Sequence, residues 1–179
     1  FRTPVTIRDP RAPALAVMCG LLGGFPGAVL FRTVREKEGL AYSISSAWDA
    51  HKGVLYVTAG IDPDKRPRVT ARTMEIVHDL AAGRFPAEDL AVTKRFLANR
   101  LAGLRDSPGA TAFRFFEYTL NGLPWSEEAE RRALDVVRPE GVARSRVAEH
   151  RRWGWPVSGG APGRREPPGC MAACARRIA

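Results

Sequence analysis

The strongest constraint on the fold is the stretch of residues 23–46, GGFPGAVLFRTVREKEGLAYSISS, in which glycines separate a short helix from a strand. A Gly-Gly pair at its start ends one helix, and Gly39 ends the next. From Tyr42 onward larger residues alternate with small ones, which is typical of a half-buried strand. The stretch therefore predicts a helix, a sharp corner at Gly39 and a strand.

Arg35 and Tyr42 lie on either side of this corner. Because one is near a helix end and the other opens a strand, the corner can bring both side chains to one edge. A guanidinium offers a rigid fork of N–H donors, and a phenol both donates and accepts hydrogen bonds. The pair predicts a site that holds a peptide carbonyl or another oxygen-rich group. The structural alternative is that Arg35 pairs with Glu38 on its own helix and that Tyr42 is a strand residue with a satisfied hydroxyl.

The remaining periodicity predicts an α+β fold, with a mixed and largely antiparallel sheet covered by helices. Residues 1–7 resemble a strand, residues 12–22 and 28–38 form helices, and residues 42–48 and 54–61 form a hairpin. Later helices begin at Pro63, Pro86, Ser107, Ser126 and Pro139. Those starting at Pro63 and Pro86 each have one apolar face, made by residues 69, 73, 76, 77 and 80 and by residues 90, 97, 101 and 104.

An aromatic stripe occupies the helix that starts after Ser107. Phe113, Phe116 and Leu120 recur at i, i+3 and i+7, so a helix places them on one face. We expect this face to belong to the core rather than to bind a ligand, because the helical spacing already explains it.

Composition favours one globular domain: 179 residues with 45% hydrophobic content can bury a sizeable core. The net charge of +9 is concentrated after residue 149, where six Arg face one Glu, so the first 149 residues carry only +4. No basic helix with interleaved aromatics occurs among these first 149 residues, and we expect no nucleic-acid partner.

No apolar run approaches the roughly 20 residues of a membrane span, so we expect no membrane partner. Three cysteines without a disulfide framework and the lack of a signal peptide predict a cytoplasmic protein.

The pattern of secondary structure divides the chain at residue 149. The pattern predicts that residues 1–149 form one domain. This domain begins inside strand-like sequence and looks like a fragment truncated at both ends. Residues 150–179 are rich in Gly, Pro and Arg and have no periodicity, so we expect a disordered or aberrant tail, such as the product of a shifted reading frame.

Four motifs together carry a family resemblance: GGFP from residue 23, LFxxVREK from residue 30, GLAY from residue 39 and HKGxLxVxxGID from residue 51. They resemble the C-terminal, non-catalytic half of the pitrilysin/insulinase zinc peptidases, and are most similar to short bacterial members without a zinc site. The resemblance implies a half-domain of the LuxS/mitochondrial-processing-peptidase-like metallohydrolase fold. In that family two similar halves enclose a chamber, and the zinc ligands H-x-x-E-H belong to the first half.

The resemblance implies that Arg35 and Tyr42 contact the substrate backbone and stabilise an oxyanion, while zinc is bound by a homologous partner half or subunit. The chain contains no H-x-x-E-H; its nearest approach ends at His150 and has Arg146 in place of the first His. We therefore expect no metal site and no catalytic residue in this chain, which would be inactive alone. The expected substrate is a peptide or an unfolded polypeptide. The alternative is a catalytically idle scaffold or assembly subunit of the same fold.

Overall fold

The computed structural model describes residues 1–143. Their elements, in chain order, are α1 (Ala12–Gly23), a π-helix (Phe31–Lys37), β1 (Ser43–Asp49), β2 (Val54–Gly60), α2 (Arg66–Ala81), α3 (Ala87–Ala102), α4 (Pro108–Leu120), α5 (Glu127–Asp135) and α6 (Pro139–Ala143). Short 3-10 turns, Pro63–Lys65 and Gly103–Asp106, precede α2 and follow α3. The predicted tail, residues 150–179, and the end of the last predicted helix lie outside the described residues.

The two strands form the predicted antiparallel hairpin, with Ser43 opposite Gly60 and Asp49 opposite Val54. The loop between them returns through Gly53, whose φ of +61° is a conformation that favours glycine. A Cβ at this position would lie 2.5 Å from the carbonyl oxygen of Thr3, so a side chain would collide with backbone. The sequence prediction of α+β architecture with antiparallel pairing is confirmed.

The first seven residues do not form the regular strand that their sequence predicts. The backbone of Phe1 exchanges hydrogen bonds with Leu55 at 2.8 and 3.0 Å, and a single bridge joins Arg2 to Val54. Pro4 has no N–H to continue a ladder, and the N–H of Val5 turns to the hydroxyl of Thr3. The segment thus follows the outer edge of β2 for a few residues and then leaves it.

Helix α1 is the centre of the fold, because nine of its twelve residues are buried. It packs against β1, α3, α5 and α6. One polar link fixes it to the sheet: the hydroxyl of Ser46 in β1 donates to the carbonyl of Cys19 at 2.8 Å. Cys19 itself is 8% exposed, so its thiol belongs to the core.

The apolar faces predicted for α2 and α3 point into this core. The buried residues of α2 are Val69, Thr73, Ile76, Val77 and Leu80, as expected. In α3, Leu90 and Leu101 are buried as predicted, whereas Leu97 is only half-buried. Sequence patterning missed Thr93, which is 1% exposed.

The aromatic stripe of α4 is not in the core, and that prediction was wrong. Phe113, Phe116 and Leu120 are 62%, 55% and 64% exposed. Helical spacing shows that three side chains share a face, but it does not show what covers that face. The inner side of α4 instead carries Arg114, which forms ion pairs with Glu117 and Glu130.

No helix within residues 1–143 is both long enough and apolar enough to cross a membrane.

Candidate functional site

Arg35 is presented by a π-helix rather than by the ordinary helix that the sequence predicts. The N–H of Glu38 donates to the carbonyl of Thr33 at 3.0 Å, a bond that spans five residues. Leu30 and Val34 anchor the segment in the core, since both are 0% exposed. Single-turn π geometry occurs frequently at functional sites.

The guanidinium of Arg35 lies over the ring of Phe31, with its central carbon 4.5 Å from the ring centroid. This contact orients the planar group through its face and leaves the N–H donors at its edge unused. The predicted structural alternative, a pair with Glu38, does not form, because Glu38 accepts from Arg72 at 2.8 Å. Within residues 1–143, no side-chain hydrogen bond or ion pair engages Arg35.

Tyr42 precedes β1 and is fixed through its backbone, since its N–H donates to the carbonyl of Gly60 at 2.8 Å. Its side chain is 67% exposed. The hydroxyl donates to Oδ1 of Asp62 at 2.5 Å, and Nζ of Lys65 lies 2.9 Å from Oδ2 of the same carboxylate. The hydroxyl is therefore satisfied, as the structural alternative for Tyr42 expects, but by a carboxylate that is only half-buried.

These contacts set the charge states of the cluster formed by Tyr42, Asp62 and Lys65. The hydrogen bond to Asp62 raises the pKa of Tyr42, so the phenol stays neutral at physiological pH. The same bond, with the contact from Lys65, lowers the pKa of Asp62 and keeps it ionised. Lys65 has a raised pKa because of Asp62 and stays cationic.

The corner between the π-helix and β1 holds both predicted site residues on one short unit. Gly39 has a φ of +60°, and the N–H of Leu40 donates to the carbonyl of Val34 at 2.9 Å. The π-helix packs against β1. Arg35 lies in the last turn before the corner and Tyr42 three residues after it, and both side chains are exposed. This unit offers fixed hydrogen-bonding groups for a ligand. It contains neither a nucleophile nor a set of metal ligands.

Sequence reasoning missed Asp62 as the partner of Tyr42, because Asp62 directly precedes the helix start predicted at Pro63 and carries no other local signal. The contact between Tyr42 and Asp62 could have been predicted from the register of the hairpin. Since Ser43 lies opposite Gly60, the residue before Ser43 and the residue two after Gly60 meet at the same end of the ladder.

The described residues do not fit a zinc site. Within residues 1–143, no group of three or more His, Cys, Asp and Glu side chains could hold a metal ion. His51 contacts Glu117 and Asn121 instead, with its ring nitrogens 3.4 Å from a carboxylate oxygen and 3.2 Å from the amide nitrogen.

Comparison with known proteins gives matches to peptidases and to their inactive relatives. Residues 1–97 match the family model described as "Peptidase M16 inactive domain". A Bacillus subtilis protein named "Probable inactive metalloprotease" is 37% identical over 101 residues, which cover 56% of this chain and 24% of that protein. A Mycobacterium tuberculosis "Uncharacterized zinc protease" is 35% identical over 153 residues, which cover 82% of this chain and 34% of that protein. The chain thus spans about a third or less of the length of these relatives.

Solved structures share the fold. A conserved protein from Enterococcus faecalis V583 superposes with a TM-score of 0.73 at 29% identity, over 79% of this chain and 34% of that one. The inactive peptidase domain of a putative zinc protease from Bordetella parapertussis gives a TM-score of 0.62 at 18% identity, over 80% of both chains. The chain belongs to the peptidase M16 family, the pitrilysin and insulinase group, and corresponds to the domain of that family described as inactive.

Proposed function

We propose that this domain positions an extended peptide, through Arg35 and Tyr42, for hydrolysis at a zinc site on a homologous half. The observation that carries the proposal is the state of Arg35. Its guanidinium is exposed, oriented by Phe31 and anchored through its π-helix, yet no described residue uses its donors. A fixed and unused guanidinium is suited to binding a backbone carbonyl.

Preorganisation explains why such a group helps a reaction that it does not itself carry out. A donor already oriented toward a developing negative oxygen needs little rearrangement as the charge forms, and each such donor typically contributes about 3–4 kcal/mol. The packing of Leu30 and Val34 holds the π-helix in place before substrate arrives. Zinc and the general base would come from the homologous half, in the same parent chain or in a separate subunit, and the two halves would enclose the peptide.

The first test measures zinc and activity in the chain alone. We expect purified chain to contain less than one equivalent of zinc after dialysis and to show no chelator-sensitive hydrolysis of peptides. The reason is that the described residues supply no cluster of ligands. Metal analysis and a fluorogenic peptide assay measure both quantities. One tightly held equivalent of zinc would contradict the proposal.

A catalytically idle scaffold is the second candidate, and the contact between Tyr42 and Asp62 favours it. A hydroxyl that already donates at 2.5 Å has no proton free for a substrate carbonyl. The two candidates differ in reconstitution with a zinc-bearing half. Tyr42→Phe and Arg35→Ala should lower turnover without changing assembly if the domain positions substrate, and should leave turnover unchanged if it is a scaffold.

A further inference from the structure

We propose that residues 150–160, which follow the described part of the chain, lie as an extended segment in a cleft beside β1 and pair with the outer edge of that strand. The cleft has a volume of about 570 Å³. It lies between residues 46–51 on one side and helices α1, α3, α4 and α5 on the other. We call it the β1 cleft. The inference goes beyond the proposed function, since it involves neither Arg35 nor Tyr42.

The outer edge of β1 carries main-chain groups that have no partner among residues 1–143. In an antiparallel ladder, successive residues of a strand direct their N–H and C=O groups alternately to opposite sides. On β2, Leu55 directs both groups outward, because it exchanges hydrogen bonds with Phe1. Trp48 lies opposite Leu55 in the register, so Trp48 directs its own main-chain groups outward on β1, and so does Ser46. No main-chain group of the described residues pairs with them.

These unpaired groups lie where water is partly excluded. Ser46 is 8% exposed, and the indole Nε1 of Trp48 is a further buried donor without a partner among the described residues. Buried main-chain N–H and C=O groups are almost always paired in proteins. A strand edge in a cleft is therefore suited to a second extended segment, which pairs through its own main chain whatever its side chains.

The end of the described chain lies beside the β1 cleft. Helix α6 packs against α1, and a Cβ on Gly141 would be 3.7 Å from the Cβ of Ala14. The neighbours of Ala14 on this side of the cleft are Ala12, Pro13 and Ala16. The chain after Ala143 therefore starts close to the cleft. At about 3.3 Å per extended residue, a segment of a few residues covers the edge of β1.

The size of the side chains favours residues 150–160 within the tail. Trp153 and Trp155 are its largest apolar residues, and they stand two positions apart, so an extended segment directs both to the same side. The α1 wall of the β1 cleft is made of small residues such as Ala12 and Ala16, which are half-buried. Such a wall leaves room for two indoles.

The charge of the cleft favours the same segment. Three carboxylates and two guanidinium groups line the cleft: Asp49, Glu117, Glu130, Arg100 and Arg114. Residues 150–160 contain Arg151 and Arg152 and no acidic residue. The opposite signs favour binding, and added salt weakens this contribution.

Amide hydrogen exchange in the full chain tests the pairing. The amide of Trp48 should exchange about tenfold more slowly in the wild type than in the full-length variant Trp153→Ser, Trp155→Ser, because the segment contributes a hydrogen bond there. The matched control Met171→Ser, Ile178→Ser changes apolar residues outside the segment and should exchange like the wild type. Nuclear magnetic resonance measures single amides, and circular dichroism checks that each variant is folded.

Equal exchange of the Trp48 amide in all three chains would overturn the proposal, whether that exchange is slow or fast. Protection that increases with protein concentration would show that a second copy pairs with β1, and would overturn it as well.

A spin label locates the segment while its indoles stay in place. Replacing both tail cysteines by serine leaves the buried Cys19, and Ser158→Cys then supplies one site for the label. In the labelled chain, the amide signals of residues 46–50 should broaden, and those near Lys65 at the opposite end of the hairpin should not. A mixture of labelled chain with unlabelled, isotope-enriched chain should show no broadening. Broadening in that mixture, or none in the labelled chain itself, would contradict docking of the chain's own tail.

Discussion

Replacing Arg35 by alanine, in a complex of this domain with a zinc-bearing homologous half, is expected to lower kcat/KM by about 10²–10³-fold. The loss arises because the guanidinium of Arg35 is a charged donor that Phe31 orients and that has no hydrogen-bond or ion-pair partner among residues 1–143. Arg35→Lys should recover only part of the activity, since an ammonium carries charge but not the planar fork. Steady-state kinetics at matched complex concentration measures the effect.

Arg32 offers a matched control on the same π-helix. It is also exposed, but its guanidinium is held by both carboxylate oxygens of Asp89, with one of them at 2.9 Å. Arg32→Ala should therefore leave kcat/KM close to the wild-type value while removing one surface ion pair. Equal losses in the two variants would indicate a general effect of positive charge, and no loss in either would favour the idle scaffold.

The second large expected effect is on the free energy of unfolding. It is tested by replacing each of two leucines by alanine. Leu30→Ala should lower the free energy of unfolding by about 2–5 kcal/mol, because the side chain is 0% exposed beneath the π-helix. Leu120→Ala should change it by no more than about 0.5 kcal/mol, because that side chain is 64% exposed on α4. Urea unfolding followed by circular dichroism measures both variants.

This pair of leucines also tests the correction to the aromatic stripe. If the stripe of α4 were a core face, Leu120→Ala would cost as much as Leu30→Ala. Similar losses in the two variants would contradict the structure, and a wide gap would support it. If Leu30→Ala no longer shows a cooperative unfolding transition while Leu120→Ala still does, that result is the large destabilisation that we expect.

Prediction from the sequence succeeded where the local spacing of apolar residues alone determines which face of an element is buried. The face of α2 could be predicted in full, because the spacing of its apolar residues directly gives the side that must be buried. The hairpin was predictable for a similar reason, since alternation on both strands and a terminal glycine at residue 53 fix the register within narrow limits.

Prediction from the sequence failed where the burial of a side chain depends on distant parts of the chain. The face of α4 has the same spacing as a core face, but among the described residues α4 packs chiefly against the turn Gly103–Asp106. The widened turns of the π-helix were also missed, because helical periodicity does not distinguish bonds that span four residues from bonds that span five.

The candidate site was predictable in part. The positions of Arg35 and Tyr42 beside the Gly39 corner followed from local sequence, and the structure places both side chains on the surface of that unit. Their partners differ in this respect. Phe31 and Arg35 are four residues apart, so helical spacing alone makes them neighbours. Asp62 reaches Tyr42 through the hairpin register, so that contact needed the folded chain.

A complementation titration tests directly whether this domain positions substrate for a metal on another half. A zinc-bearing homologous half that lacks its own partner is held at fixed concentration, and this chain is added while peptide hydrolysis is followed. We expect a saturable rise in rate near one equivalent of wild-type chain and no such rise with the Arg35→Ala, Tyr42→Phe double variant, although both bind. Equal rises with the two chains, or no rise with the wild type, would contradict the claim that this domain positions substrate for a metal on another half.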